Sequence, residues 1–222
     1  FIQFVRGKYQ NKDFISLHEP SFGGNEEKYL LNTLNTTYVS SVGEYVDRFE
    51  GLIEEYIGAP KAIATVNGTA ALHTALHMAG VKPGDLVITQ ALNFIAVCSV
   101  LHHMGAKPLF IDVSKEYLSL CPSEVESFLD MHCEVDDDGV CIMKESRQRI
   151  SAMVPMNTFG HPAQLEELLS ISKKWSLIMV EDAAESLGSL YKGRHTGTYG
   201  HFGIISFNGN KIITSGAGGM VI

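Results

Sequence analysis

From residue 61 onward the chain alternates short apolar runs with amphipathic stretches, and this alternation restricts the fold more than any other feature. KAIATV reads as a strand, GTAALHTALHMAG as a helix, DLVITQ as a strand, FIAVCSVLHHMG as a helix and KPLFIDV as a strand. Strands that alternate with helices in this way build a parallel sheet with helical crossovers. ISAMVPMN, a helix near 163–174, SLIMVED and FGIISF continue the rhythm, and the chain stops at Ile222 inside what reads as another strand. Upstream, 25–35 and 44–57 carry apolar residues at helical spacing, with Tyr45, Phe49, Leu52, Ile53 and Ile57 in one stripe. The polar segment 130–149 reads as a surface insertion, and no Pro/Ser/Gly linker divides the chain. The expectation is an α/β fold in one domain over 1–222, with an N-terminal helical segment.

Of the 222 residues, 45% are hydrophobic and 19% charged, which is enough apolar material for a buried core. A net charge of −8 argues against a nucleic-acid partner, which needs a basic stripe, and favours small-molecule chemistry. Cys98, Cys121, Cys133 and Cys141 are widely spaced without a C-x-x-C pair, which fits neither a zinc knuckle nor a small disulfide scaffold; no metal site is expected. No run approaches the roughly 18 apolar residues of a membrane span, and no signal segment opens the chain, so the expected location is the cytoplasm. The N-x-[ST] matches at Asn35 and Asn67 are accordingly read as chance. The chain begins at Phe1 rather than a methionine, and the expectation is of a chain trimmed at both ends.

Three stretches carry chemistry. In VNGTAALHTAL a strand runs through Asn67-Gly68-Thr69 straight into a helix, whose first amides and a hydroxyl can bind an anion, although Thr69 as a simple cap explains the same residues. LIMVEDAAESLGS is an apolar strand ending in Glu181 and Asp182, where ligands bind in open α/β sheets, although the carboxylates could cap the next turn. Lys211, in SFNGNKIITSGAGGMVI, lies between apolar strands and before glycines, a setting unlike that of an ordinary solvated lysine. An anion-binding helix start, an acid at one strand end and a lysine at another match the needs of pyridoxal 5'-phosphate: phosphate donors, a partner for the ring nitrogen and an amine for the aldehyde.

These stretches, with PSFGGNEEKYLLNTLNTTYVSSVGEYVDRFE upstream and GVKPGDLVITQALNFIAV between them, resemble in order the blocks of the DegT/StrS family of nucleotide-sugar aminotransferases. The resemblance implies a fold-type I large domain, α/β/α with a mostly parallel sheet, from which the family's small C-terminal domain is absent here. It also implies a homodimer with active sites at the subunit boundary. By position, Lys211 resembles the lysine that bonds the cofactor aldehyde and Asp182 the partner of the pyridinium nitrogen. Gly68, Thr69 and Ser206 match the phosphate cradle, and Phe94 falls where a ring stacks on the cofactor, its alternative being a core aromatic. Glu185 matches a position near the phenolic oxygen that relatives fill with glutamine or histidine. His73, His77 and His102 are expected on helix surfaces or edges.

The implied reaction is ping-pong transamination from L-glutamate to a keto-sugar nucleotide. EDAAESLGS and SFNGNKIITSGAGGM are most similar to enzymes that aminate C4 of UDP-4-keto-6-deoxy-N-acetylglucosamine-type sugars for bacillosamine or legionaminic-acid-like surface glycans. A second branch of the family, the PMP-dependent sugar dehydratases, has histidine in place of the lysine, and Lys211 argues against it. A third reading, an inactive truncated member with a binding or regulatory role, is opposed by the intact set Asp182, Ser206 and Lys211.

Overall fold

In the computed structural model, which describes residues 1–10, 14–16 and 18–222, each apolar run expected as a strand becomes one. Helices α1 (Ile2–Lys8), α2 (Glu26–Thr36) and α3 (Glu44–Ile57) precede β1 (Ile63–Thr65). Then follow α4 (Gly68–Met78), β2 (Leu86–Gln90), α5 (Ile95–His103), β3 (Lys107–Ile111) and α6 (Pro122–His132). A hairpin of β4 (Cys133–Val135) and β5 (Cys141–Met143) leads to β6 (Ile150–Val154), α7 (Leu165–Lys174) and β7 (Ile178–Asp182). A second hairpin, β8 (Leu190–Tyr191) and β9 (Arg194–His195), precedes β10 (Phe202–Ser206) and β11 (Gly219–Val221).

Seven strands form one sheet in the order β1-β11-β10-β7-β6-β2-β3. All pairs are parallel except those of β11, which runs against both β1 and β10. The carboxyl ends of β1, β2, β6, β7 and β10 therefore open on one edge of the sheet, which is where such sheets bind ligands.

Strand alternation sends successive side chains to opposite faces. Met153 and Met179 pack on Val125, Leu129, Leu165 and Leu168 from α6 and α7. Val154, Val180 and Ile204 pack on Leu72, Leu76, Val97 and Leu101 from α4 and α5. A third cluster sets Ile53 and Ile57 of α3 against Ile205, Phe207 and Met220. Each such side chain, fully buried, contributes roughly 1.5–3 kcal/mol, so a charge placed at Val180 would break the layer it faces. Among the described residues no helix is long and apolar enough to cross a membrane.

Two expectations need correction. The stripe on α3 is narrower than the sequence suggests: Phe49, Ile53 and Ile57, four apart, face the sheet, whereas Leu52 is 52% exposed. Segment 130–149 is more than a surface insertion. It begins inside α6 and then forms the β4–β5 hairpin, which buries Cys133, Cys141 and Ile142. Its tip is a polar loop, with the Asp136 carboxylate accepting the N–H groups of Asp138 and Val140, and a second exposed polar turn follows β5 over 144–147. Burial pushes the Cys141 thiol up to about 12, so it stays protonated in the core.

Candidate active site

The strand-end edge of the sheet is assembled from short local devices. Where β1 ends, the Asn67 side chain accepts the Ala70 N–H at 2.8 Å and caps α4, so strand passes into helix without a loop. The amides of Gly68 and Thr69 head the first turn, at the positive end of the helix dipole. A Cβ on Gly68 would lie 2.9 Å from Cβ of Ser206, so the missing side chain lets the start of α4 approach the end of β10. Ser206 itself is buried.

Asp182, the last residue of β7, is 4% exposed. Its carboxylate accepts the Ala184 N–H at 3.1 Å, its only side-chain hydrogen bond among the described residues. Burial pushes its carboxyl up to about 6, against the opposing pull of the Ala184 N–H and the Lys211 charge. Glu181, one residue earlier, points the other way. It is fully buried and accepts from the Asn157 side chain at 2.8 Å and the Tyr199 N–H at 3.1 Å. Of the two acids at this strand end, only Asp182 faces the cleft.

Beyond β10 a turn closed by the Lys211 N–H to the Asn208 carbonyl presents the lysine. Lys211 Nζ pairs with Glu185 Oε1 at 3.1 Å and lies 5.6 Å from the centre of the Phe94 ring. The second Glu185 oxygen accepts the Phe159 N–H at 3.3 Å. Phe94 sits just before α5 and is 60% exposed, so it is not a core aromatic. His73, His77 and His102 lie on exposed helix surface.

Gly68, Thr69, Phe94, Asp182, Glu185, Ser206 and Lys211 all line one cleft of about 260 Å³. The lining also includes residues to which the sequence reading gave no role in the site, among them Asn67, Met156, Asn208 and Asn210. Asn67 carried a readable signal, an asparagine directly before a helix, and the Asn208-Gly209 turn carried another. Met156 carried none, because it reaches the cleft only through its pairing beside Asp182.

Residues 20–222 match the model of the DegT/DnrJ/EryC1/StrS aminotransferase family. The chain belongs to this family. GDP-perosamine synthase of Escherichia coli O157:H7 is 34% identical over 94% of this chain and 53% of the relative. Among solved members of the fold, the aminotransferase from Psychrobacter cryohalolentis is 30% identical with a TM-score of 0.79, covering 92% of this chain and 48% of that one. Spr1654 of Streptococcus pneumoniae, solved in a PLP form, is 25% identical with a TM-score of 0.77, covering 93% and 52%. The chain thus spans about half the length of the curated relatives it matches.

The family's cofactor is pyridoxal 5'-phosphate, and the cleft is chemically suited to it. Asp182 is a buried carboxylate with acceptor capacity left over for a protonated ring nitrogen. The start of α4 with Ser206 suits a phosphate, Phe94 offers an exposed ring face, and Lys211 lines the same cleft with an amine for the aldehyde.

Proposed function

We propose that this chain is the cofactor-binding large domain of a transaminase that moves an amino group from an amino acid, L-glutamate, to a keto-sugar nucleotide. What carries the reading is the convergence of Asp182, Ser206, Lys211 and the start of α4 on one strand-end cleft. The similarity to GDP-perosamine synthase, named for a GDP-linked product, supports a nucleotide-linked acceptor. On the likeness of EDAAESLGS and SFNGNKIITSGAGGM, we take the acceptor carbon to be C4 of a UDP-4-keto-6-deoxy-N-acetylhexosamine. A cytoplasmic homodimer belongs to the same reading, and the exposed apolar side chains of Leu30, Leu31 and Leu34 on α2 support the second copy.

Bound in the cleft, the cofactor supplies an electron sink for the carbon that loses its proton. Asp182, ionised, keeps the ring nitrogen protonated; opposite unit charges about 4 Å apart attract by about 4 kcal/mol at an effective dielectric of 20. Lys211 Nζ would hold the cofactor by its aldehyde and, when free, would be the amine placed to take a proton from the donor's α-carbon and give it back. The amides of Gly68 and Thr69 and the Ser206 hydroxyl take the phosphate. Phe94 would offer its face to the ring, and Glu185 would orient the Lys211 ammonium through their contact.

Incubation with pyridoxal 5'-phosphate should give a visible absorbance band that borohydride fixes onto Lys211. A protein that stays colourless would sink the reading. Conversion of a UDP-4-keto sugar with L-glutamate should release 2-oxoglutarate; cofactor uptake without that product would leave a cofactor site but reject the acceptor class.

A further inference from the structure

We propose that Gln90 is a positioning residue that holds the two walls of the cofactor cleft at a set separation, an inference that rests on the reading of the cleft given above. Gln90 ends β2, has no exposed surface and does not itself line the cleft. Its side-chain oxygen accepts the N–H groups of Leu120 at 2.8 Å and Met156 at 3.2 Å. Its side-chain nitrogen donates to the Leu92 carbonyl and to the Thr158 hydroxyl, each at 3.0 Å, with the Leu118 carbonyl farther off at 3.3 Å. The Thr158 hydroxyl in turn donates to Leu118 at 2.8 Å. A carboxamide has two N–H groups and one oxygen with two lone pairs, so the capacity of Gln90 is fully used.

The segments tied together are the walls. Leu92 lies in the short loop that carries Phe94 to the cleft, and Asn93 pins that loop again by donating to the Thr89 hydroxyl at 3.0 Å. Met156 lies in the strand extension beside Asp182, whose N–H bonds the Pro155 carbonyl and whose carbonyl accepts the Asn157 N–H. One buried amide therefore spans from the aromatic wall to the carboxylate wall. A flat ring between such walls needs a fixed gap, since an excess of about 0.5–1 Å forfeits a quarter to a half of the dispersion contact. A buried amide is costly unless every bond is made, and an apolar side chain could fill the same space, so packing alone does not account for it.

Gln90→Met keeps the length and removes all of these bonds. Affinity for pyridoxal 5'-phosphate, titrated by absorbance, should fall about tenfold, with weaker visible circular dichroism of the bound chromophore. Leu168→Ala, in the far helical layer, is the control: it should lower the melting temperature and leave both cofactor readouts unchanged. Thr158→Val removes one link of the same hub, should give the Gln90 pattern at smaller size, and replaces Gln90→Met if that variant does not fold. Unchanged affinity and dichroism in the folded variant, or an equal loss in Leu168→Ala, overturns the proposal. Wild-type protein that takes up no cofactor overturns the reading of the cleft, and this inference with it.

Discussion

Behind β7 the Glu181 carboxylate is enclosed: Asn157 and the Tyr199 N–H bond it, Asn157 also reaches Ser186, and Ser186 accepts from Thr196. In front of β7, one residue on, Asp182 has the Ala184 N–H and otherwise faces the cleft. Burial pushes both carboxyls up, so depth alone does not distinguish them. The difference lies in what the protein does with their lone pairs. Behind the strand they are spent on holding loops together, and in front they face the cleft, where the proposed function gives them a ring nitrogen to hold.

The largest effect that could break this contrast is on the cleft side. Lys211→Ala should lower turnover by about 10³-fold or more while the cofactor-free melting temperature barely moves, measured by 2-oxoglutarate release and thermal denaturation. Activity close to wild type would remove Lys211 from the chemistry. On the enclosed side, Glu181→Ala strands the Asn157 and Tyr199 donors and should cost about 3 kcal/mol in denaturant unfolding, with or without cofactor. A loss seen only in the loaded protein would erase the distinction between the two sides.

Asp182→Asn sharpens the comparison through pH. Because the folded carboxyl is pushed from 3.8 up to about 6, it binds its proton more tightly folded than unfolded. The cofactor-free wild type should therefore lose stability as pH rises from about 4 through about 6, by at most about 3 kcal/mol from this group. Asp182→Asn should flatten that slope and be the more stable protein at pH 7, yet bind cofactor more weakly. Glu181, also pushed up, keeps part of the slope in both proteins. Melts across this range check it, and identical slopes would mean that Asp182 is not strained by its burial. The smallest effect is expected from Gly68→Ala, whose Cβ would press on Ser206; it should cost about 1–2 kcal/mol and weaken cofactor affinity in titration.

Much of this was legible in the sequence where adjacent residues decide the outcome. Asn67 before α4, the apolar run ending in Glu181 and Asp182, and the glycines beyond Lys211 announce their local structure, because caps, strand periods and turns depend on near neighbours. Long-range choices were not legible. The alternation of Cys133 and Cys141 across a hairpin was hidden by the charged tip between them, and Leu52 looked as buried as Ile53 because periodicity does not give the width of a stripe. Gln90 gave no signal, since its partners at Leu120, Met156 and Thr158 lie far along the chain.

By itself the sequence determined the α/β rhythm, the strand ends, and a lysine, an acid and a helix start suited to one cofactor, because each of these is set by side chains within a turn or a strand of one another. The family resemblance had already set Asp182, Ser206 and Lys211 around one cofactor; the tertiary structure alone decided how they meet, with Glu181 enclosed behind the strand by Asn157 and Tyr199 and Lys211 paired with Glu185. The reason is physical: the strand order β1-β11-β10-β7-β6-β2-β3 brings distant carboxyl ends to one edge. The register of β7 against β6 and β10 then settles which acid turns inward.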